Sequence, residues 1–466
     1  SGAAQRTTDG LNIPSRRCAR KNRENPLIQP SSLNPVSLRK IFITWLPLAG
    51  SWALMALELP ALSAIVARLA EPEINLAAYG GVVFPLSLII EAPIIMLLAA
   101  STALSKDWAS YRKLNTFMMI TSAILTALHM AVAFTPLYYF VVEKLIGAPA
   151  EIIEPARIGL KIMTPWTWSI AYRRFNQGLM IRFGQSWAVT AGTFIRLSAD
   201  IIVLLIGYSM KTLPGIVVAT SAVAAGVVSE AAFAGLAAIR VKRGKLRNAP
   251  ALSPPLTYRV FFKFYIPLAM TSLLSLLIQP LGSAALSRMP QALESLAVWP
   301  VVIGLSFLFR SMGMGYNEVV VSMLDQPGAA KALRRFTVLL VGFLTILQLG
   351  LVATPLAPIW FQRVSALSPE LATFAHIGMW LALLLPALTT LQSWYQGAIL
   401  NSKKTRAIPE AVLIFLVTIG VLLGLGIAWG EMTGLYVGLI AFTLGMGVQT
   451  LWLWVRSRPV MRDLSN

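Results

Sequence analysis

Apolar residues in this chain come in long runs, each ended by a short polar stretch, and the runs show no strict alternation of apolar and polar positions. A run of about 20 apolar residues is what an α-helix needs to cross a bilayer, whereas the strands of a membrane barrel alternate over about ten residues. The runs predict twelve helices. Helices 1 to 6 are expected at 41–67, 78–104, 115–136, 155–181, 187–208 and 214–240, and helices 7 to 12 at 260–287, 294–323, 335–354, 370–400, 407–429 and 433–456. The predicted fold class is an all-α polytopic membrane protein with twelve transmembrane helices.

The pattern is written twice. Leu46 to Arg68 reads LPLAGSWALMALELPALSAIVAR, and Ile266 to Arg288 reads IPLAMTSLLSLLIQPLGSAALSR. At an offset of 220, Pro47, Leu54, Leu57, Pro60, Ser63 and Arg68 meet Pro267, Leu274, Leu277, Pro280, Ser283 and Arg288. Leu76-Ala77-Ala78-Tyr79 meets Leu296-Ala297-Val298-Trp299 at the same offset, while Thr135-Pro136-Leu137 and Gln177-Gly178 meet Thr354-Pro355-Leu356 and Gln396-Gly397 at 219. Six helices repeated in the same order predict two pseudo-symmetric six-helix lobes related by an axis along the membrane normal. The first copy carries Glu58 in its apolar run where the second has Ile278. The domains expected are a disordered basic cytoplasmic tail at 1–40, an N-lobe at 41–240, a basic cytoplasmic linker at 241–259, a C-lobe at 260–456 and a cytoplasmic C-terminal tail at 457–466.

Composition agrees, since only 12% of residues are charged and the mean hydropathy is +0.70, against about a quarter charged in soluble domains. The net charge of +20 does not point to nucleic acid, because the basic residues fall in short segments between apolar runs. Thirty lie on the side of the N-terminus and seven on the other, which predicts both termini in the cytoplasm and a multi-pass protein of the plasma (bacterial inner) membrane. Residues 1–40 lack the apolar core of a secretory signal and are read as a tail, or alternatively as an organelle transit peptide. A single Cys18 and the two histidines, His129 and His376, offer no disulfide framework and no metal set. No catalytic motif is present, so an enzyme is not expected, and without an ATPase domain active transport would draw on an ion gradient.

Ionisable groups in mid-helix cost about 2.5–3.5 kcal/mol each on insertion scales, so each asks for a partner or a task. The ion-coupling candidates are Glu58 on helix 1, Glu91 on helix 2, Asp200 on helix 5 and Glu230 on helix 6. Arg196 and Asp200 stand four apart and can pair on one helix face. Glu58, Glu91 and Glu230 have no basic residue within a turn, and a buried carboxylate without a cation is a candidate proton carrier. Several carboxylates around one cavity could instead bind Na⁺. For the substrate cavity the candidates are Arg196, Gln279, Arg310, Trp394 and Gln396. Trp166 is read as an interface anchor or packing residue. Pro47, Pro60 and Pro280 interrupt helices 1 and 7 and are candidate gating bends.

With these residues in view the chain resembles the multidrug and toxic compound extrusion (MATE) transporters. The resemblance lies in the starts of the second helix of each half, Leu76 to Gly80 and Leu296 to Pro300, and in the Gln-Gly ending the fourth helix of each half before a short basic loop. These transporters share a superfamily with polysaccharide and lipid II flippases. The stretch QGAILNSKKTRAI, Gln396 to Ile408, also resembles the progressive ankylosis transporters of the same superfamily. The resemblance implies a V-shaped pair of six-helix lobes opening alternately to each side, with a helix 1 acid that binds H⁺ or Na⁺ and works with acids or amides on helices 5 and 6. Glu58 and Asp200 fall at comparable places. A Glu stands for the usual helix 1 Asp, Arg196 adds a positive charge, and Gln279 stands where some members have an acid. The expected function is a secondary antiporter, coupled to H⁺ ahead of Na⁺, that exports an amphipathic organic compound by alternating access. The alternatives are an exporter of organic anions such as citrate or phosphate-containing metabolites, and a lipid-linked sugar flippase. The expected partners are a small-molecule substrate and the lipid bilayer, with no cofactor beyond the coupling ion, no nucleic acid, and a monomeric state.

Reporter fusions after Arg243 and at the C-terminus should both score cytoplasmic, and a periplasmic score for either would overturn the topology.

Overall fold

The computed structural model describes residues 36–463 apart from 186, 325 and 403–405, so most of the expected N-terminal tail, with Cys18, and the last three residues lie outside the described residues. The described residues are helical throughout, and eleven helices are long and apolar enough to cross a membrane. The twelfth expected span is present as Ala150–Ile162 and Thr164–Arg182, which meet at Met163. It fails the apolarity criterion because it carries Arg157, Lys161, Arg173, Arg174 and Arg182. Helix 1 runs Leu38–Val66, helix 3 Trp108–Phe134, helix 5 Trp187–Met210 and helix 6 Gly215–Leu246. Helix 7 runs Tyr258–Leu286, helix 8 Ala292–Met323, helix 9 Ala329–Val352, helix 10 Pro369–Asn401, helix 11 Ala407–Trp429 and helix 12 Gly434–Met461.

Prolines decide where the helices break. Helix 1 splits at Leu57 into Leu38–Ala56 and Glu58–Val66, and helix 7 splits at Leu277 into Tyr258–Leu276 and Ile278–Leu286. Pro60 and Pro280 lack the N–H that would bond the carbonyl four residues back, and their rings crowd it, so the ladder shifts one turn earlier. Glu58 and Ile278 are the first residues after the two breaks. Helix 2 departs from the continuous rod expected at 78–104. It begins at Pro72, contains a π-helical segment at Ala78–Val83, and is interrupted after Glu91, with Pro93 in the gap before Leu97–Leu104.

The faint sequence repeat is a close structural repeat. Left-handed backbone occurs at Glu71 and Gln291, at Gly147 and Ala366, and at Lys211 and Gly430, three pairs at offset 219 or 220. Asn75 Oδ1 accepts from the Ile216 N–H at 2.8 Å, and its counterpart Ser295 Oγ accepts from the Leu435 N–H at 3.0 Å. Helices 5 and 6 approach closely at Gly226, where a Cβ would lie 1.8 Å from Asp200 Oδ1; at Gly445 a Cβ would lie 2.7 Å from Cγ1 of Ile419, the counterpart of Asp200.

Helices 1 and 7 tie the halves together. Ile41, Trp45 and Ala49 pack with Tyr316, Val319 and Phe336, and Trp45 Nε1 donates to the Met312 carbonyl at 3.0 Å. In mirror fashion Phe261 and Tyr265 pack on Phe117, and the Tyr265 hydroxyl donates to the Pro93 carbonyl at 2.5 Å. At the opposite end of the bundle the repeat partners Arg68 and Arg288 each cross to the other half. Arg68 donates to the Val364 carbonyl at 2.7 Å and to that of Arg363, while Arg288 donates to the carbonyls of Ile146 at 2.6 Å and Leu145 at 2.8 Å. The two clasps bridge the halves at the end remote from the termini with charge-assisted bonds to backbone carbonyls.

Hydrogen bonds to charged groups are worth about 1.5–3 kcal/mol each. Arg68→Ala with Arg288→Ala should therefore shift the conformational equilibrium at this end by tenfold or more toward opening. Spin labels at the exposed Glu143 and Glu431 should report a larger long-distance population, and an unchanged distribution would deny the clasps that role.

Candidate functional site

A central cavity of about 630 Å³ lies between the halves, lined by Glu58, Glu91, Trp166, Arg173, Arg174 and Arg196 from the first and by Gln279, Trp299, Arg310, Gln392, Phe442 and Gln449 from the second. The break after Leu57 turns Glu58 toward helix 5, and its Oε1 accepts from Arg196 Nη2 at 2.6 Å. Asp200 Oδ2 is 3.9 Å from Arg196 Nε, and neither Asp200 oxygen has a hydrogen-bond partner among the described residues although the residue is only 3% exposed. The Arg196 guanidinium also lies 5.7 Å over the Trp166 ring, and Trp166 Nε1 donates to Glu91 Oε2 at 2.5 Å. A second buried set lies alongside, where Glu230 accepts from Arg173 at 2.7 Å and from Gln177 at 2.9 Å.

The second half replaces each of these sets. At offset 219 Arg173 and Glu230 become Gln392 and Gln449, which still bond each other at 3.2 Å. Glu58, Arg196 and Asp200 become Ile278, Phe415 and Ile419, which pack together in an apolar cluster. Arg310, near the register of Glu91, donates to Thr389 Oγ1 at 3.0 Å and sits 5.2 Å over the Phe442 ring. It has no ion pair among the described residues, and neither does Arg174, whose Nε is buried without a partner there.

Several sequence expectations change. The Arg196–Asp200 pair is the long arm of a triad whose short arm is Glu58. Glu58 and Glu230 are not lone carboxylates, because each meets an arginine from another helix. Gln279 and Arg310 do line the cavity, but Trp394 does not: it is buried in the cluster formed by the start of helix 1 with helices 8 and 9. Gln396, half-buried on the same helix, is likewise outside the lining, and Gln392, one turn earlier, takes that place. Pro47, Pro60 and Pro280 act on backbone geometry from outside the cavity wall. Sequence reasoning missed Arg173 and Arg174, counted as an inner basic flank, and Trp166, which is 3% exposed and inside the site. No group of three His, Cys, Asp or Glu that could hold a metal occurs among the described residues.

No protein-family model matches the chain, and no curated protein matches it in sequence. Solved structures do match in fold. An inward-facing MATE-family multidrug resistance transporter of the MOP superfamily is similar with TM-score 0.68 at 14% identity, covering 88% of this chain and 99% of that one. The lipid II flippase MurJ, in an inward closed conformation, gives TM-score 0.68 at 16% identity over 91% of this chain and 90% of that one. A MOP superfamily transporter from Pyrococcus furiosus gives 0.61 at 15% identity over 91% and 97%. The chain therefore has the MATE-like fold common to the transporters and flippases of that superfamily.

Removing one partner of a buried ion pair typically costs about 3–5 kcal/mol, because the other charge is stranded. Glu230→Gln should thus lower thermal stability sharply, and adding Arg173→Gln should restore most of it, since the second half holds the amide pair Gln392–Gln449 at the same register. A double variant no more stable than the single one would refute the equivalence.

Proposed function

We propose that this protein is a non-enzymatic secondary transporter of the plasma membrane that moves an anionic, amphipathic organic compound by alternating access, with H⁺ as its coupling ion. The observation that carries the reading is the charge of the cavity wall, four arginines against two glutamates, with Arg174 and Arg310 in no ion pair among the described residues. An unpaired guanidinium in a low-dielectric cavity is a binding site for carboxylate or phosphate. Of the substrates considered from the sequence, these charges favour an organic anion or the anionic head group of a lipid-linked sugar, and of the two we argue for the soluble anion. One structure of the same fold is described as having a binding pocket of reverse polarity that suggests a different function. The cavity lies within one chain, which supports a monomeric working unit.

Coupling runs through Glu58, Arg196 and Asp200. Na⁺ would need several oxygen ligands around it with a guanidinium already 2.6 Å from Glu58, whereas a proton needs only one carboxylate oxygen of the triad. Protonation removes a negative charge from the cavity wall, so it strengthens anion binding, and proton and anion load together. The exchange of substrate against protons expected from the sequence would need both to compete for one free acid.

Binding of an organic anion to the purified protein should tighten on acidification, by at most about tenfold per pH unit for one linked proton. Glu58→Gln should bind the anion at high pH as the acidified protein does and lose most of the pH dependence. Affinity that weakens on acidification, or a pH response unchanged in Glu58→Gln, would overturn the reading.

A further inference from the structure

Two of the four arginines that reach the cavity meet a carboxylate at hydrogen-bond distance, and the two pairs are built differently. Arg173 pairs with Glu230, whose side chain is 1% exposed and stands behind the cavity wall. Arg196 pairs with Glu58, and here both side chains line the cavity, 14% and 21% exposed. Glu58 therefore covers Arg196 from the cavity side. Its Oε1 lies 2.6 Å from Nη2 of Arg196, which is where an oxygen of a bound carboxylate, phosphate or sulfonate would lie.

The Arg196 guanidinium is supported from its other sides without Glu58. Asp200 lies behind it, 3.9 Å from Nε and outside the cavity lining, against helix 6 where a Cβ on Gly226 would come within 1.8 Å of Oδ1. The Trp166 ring lies 5.7 Å from the guanidinium, and Glu91 fixes that ring by accepting from its Nε1. The other charged and titratable groups around the pair are Tyr79 on helix 2, Arg174 on helix 4 and Glu230 on helix 6, with Arg310 across the cavity. With Glu58 neutral, Asp200 still compensates Arg196 from behind, while Nη2 faces the cavity. In the second half the counterparts of the pair, Ile278 and Phe415, pack in an apolar cluster, so no such pair stands there.

We propose that Glu58 is an internal ligand on an anion site at Arg196: its carboxylate occupies the site in the unloaded protein, protonation vacates it, and the anionic group of the substrate then takes Nη2. This rests on the anionic reading of the cavity and assigns the arginine through which the proton acts. Arg174 and Arg310, in no ion pair among the described residues, attract the anion in either state. Arg196 binds it only once Glu58 is neutral. Proton and anion are then linked by competition for one guanidinium, over and above the change in net charge.

The test is equilibrium binding of naphthalenesulfonate, an amphipathic anion whose own charge is constant over the pH range used, to the protein in zwitterionic nanodiscs, with partition into empty nanodiscs subtracted. At high pH Glu58→Gln should bind it about tenfold or more tightly than the unaltered protein, the worth of one charge-assisted hydrogen bond. Arg196→Lys keeps the charge but not the planar fork. In the Glu58→Gln background it should remove most of that gain, and it should cost several-fold less where Glu58 is present. In the unaltered protein at low pH an iodinated naphthalenesulfonate should quench Trp166, and that quenching should be missing in Trp166→Phe; this arm does not depend on the lysine variant folding. A gain retained in Glu58→Gln with Arg196→Lys, or binding without quenching of Trp166, would place the anion elsewhere, so that the site at Arg196 fails and the anionic reading stands. Equal binding by Glu58→Gln and the unaltered protein at high pH would overturn the competition. If neither binds the sulfonate at any pH, both the site and the anionic reading fail.

Discussion

A guanidinium within a membrane-spanning bundle has to be compensated where it stands, and much of this structure follows from that constraint. Four arginines reach the central cavity, and two of them are met at hydrogen-bond distance by carboxylates on other helices, Arg173 by Glu230 and Arg196 by Glu58. These pairs join helix 4 to helix 6 and helix 1 to helix 5. Helix 4 is too polar to pass as a membrane helix by composition, yet Trp166, Arg173, Asn176 and Gln177 are buried in the bundle. Its neighbours supply the apolar shell, so its charges face the cavity and its partners rather than lipid. Breaking one pair strands the other charge, at a typical cost of about 3–5 kcal/mol.

The duplicated architecture separates charge from apolar volume. Backbone features recur faithfully across the halves, from the left-handed residues to the proline breaks at Leu57 and Leu277. Side chains at the same stations have diverged, an ion triad in one half and an isoleucine–phenylalanine cluster in the other, an Arg–Glu pair against an amide pair. The backbone frame is thus preserved, while at these stations one half holds buried ion pairs and the other an apolar cluster and Arg310, which has no ion pair among the described residues. The clasps of Arg68 and Arg288 belong to the preserved frame, since the arginines are repeat partners and so are the carbonyls of Val364 and Leu145 that they take.

The fold was largely legible in the sequence because apolar run length and a constant register are one-dimensional signals. All twelve expected spans have counterparts, and the repeat found from Leu46 to Arg68 recurs as hydrogen bonds and backbone angles. The site was legible only in part. Arg196 and Asp200 are visible as neighbours on one helix, but the shorter contact of Arg196 is with Glu58, 138 residues away. Nothing local marks such a pairing, and Glu58 reads as a lone acid. Arg173 and Arg174 lie in the middle of Thr164–Arg182, but counting them with Arg182 as inner basic residues hid their place in the cavity. Trp166 was read as an anchor because an indole beside apolar residues usually is one; the ring between Arg196 and Glu91 becomes visible only when helices 2, 4 and 5 are brought together.

The central claim is that the excess of arginine in the cavity wall selects an anion. It is tested most directly by uptake into proteoliposomes, with matched amphipathic dyes of opposite charge offered at equal concentration under the same imposed pH gradient. The account predicts that the anionic dye is transported and that its transport fails when Arg174 and Arg310 are both changed to glutamine. Transport of the cationic dye in preference, undiminished in that double variant, would contradict it.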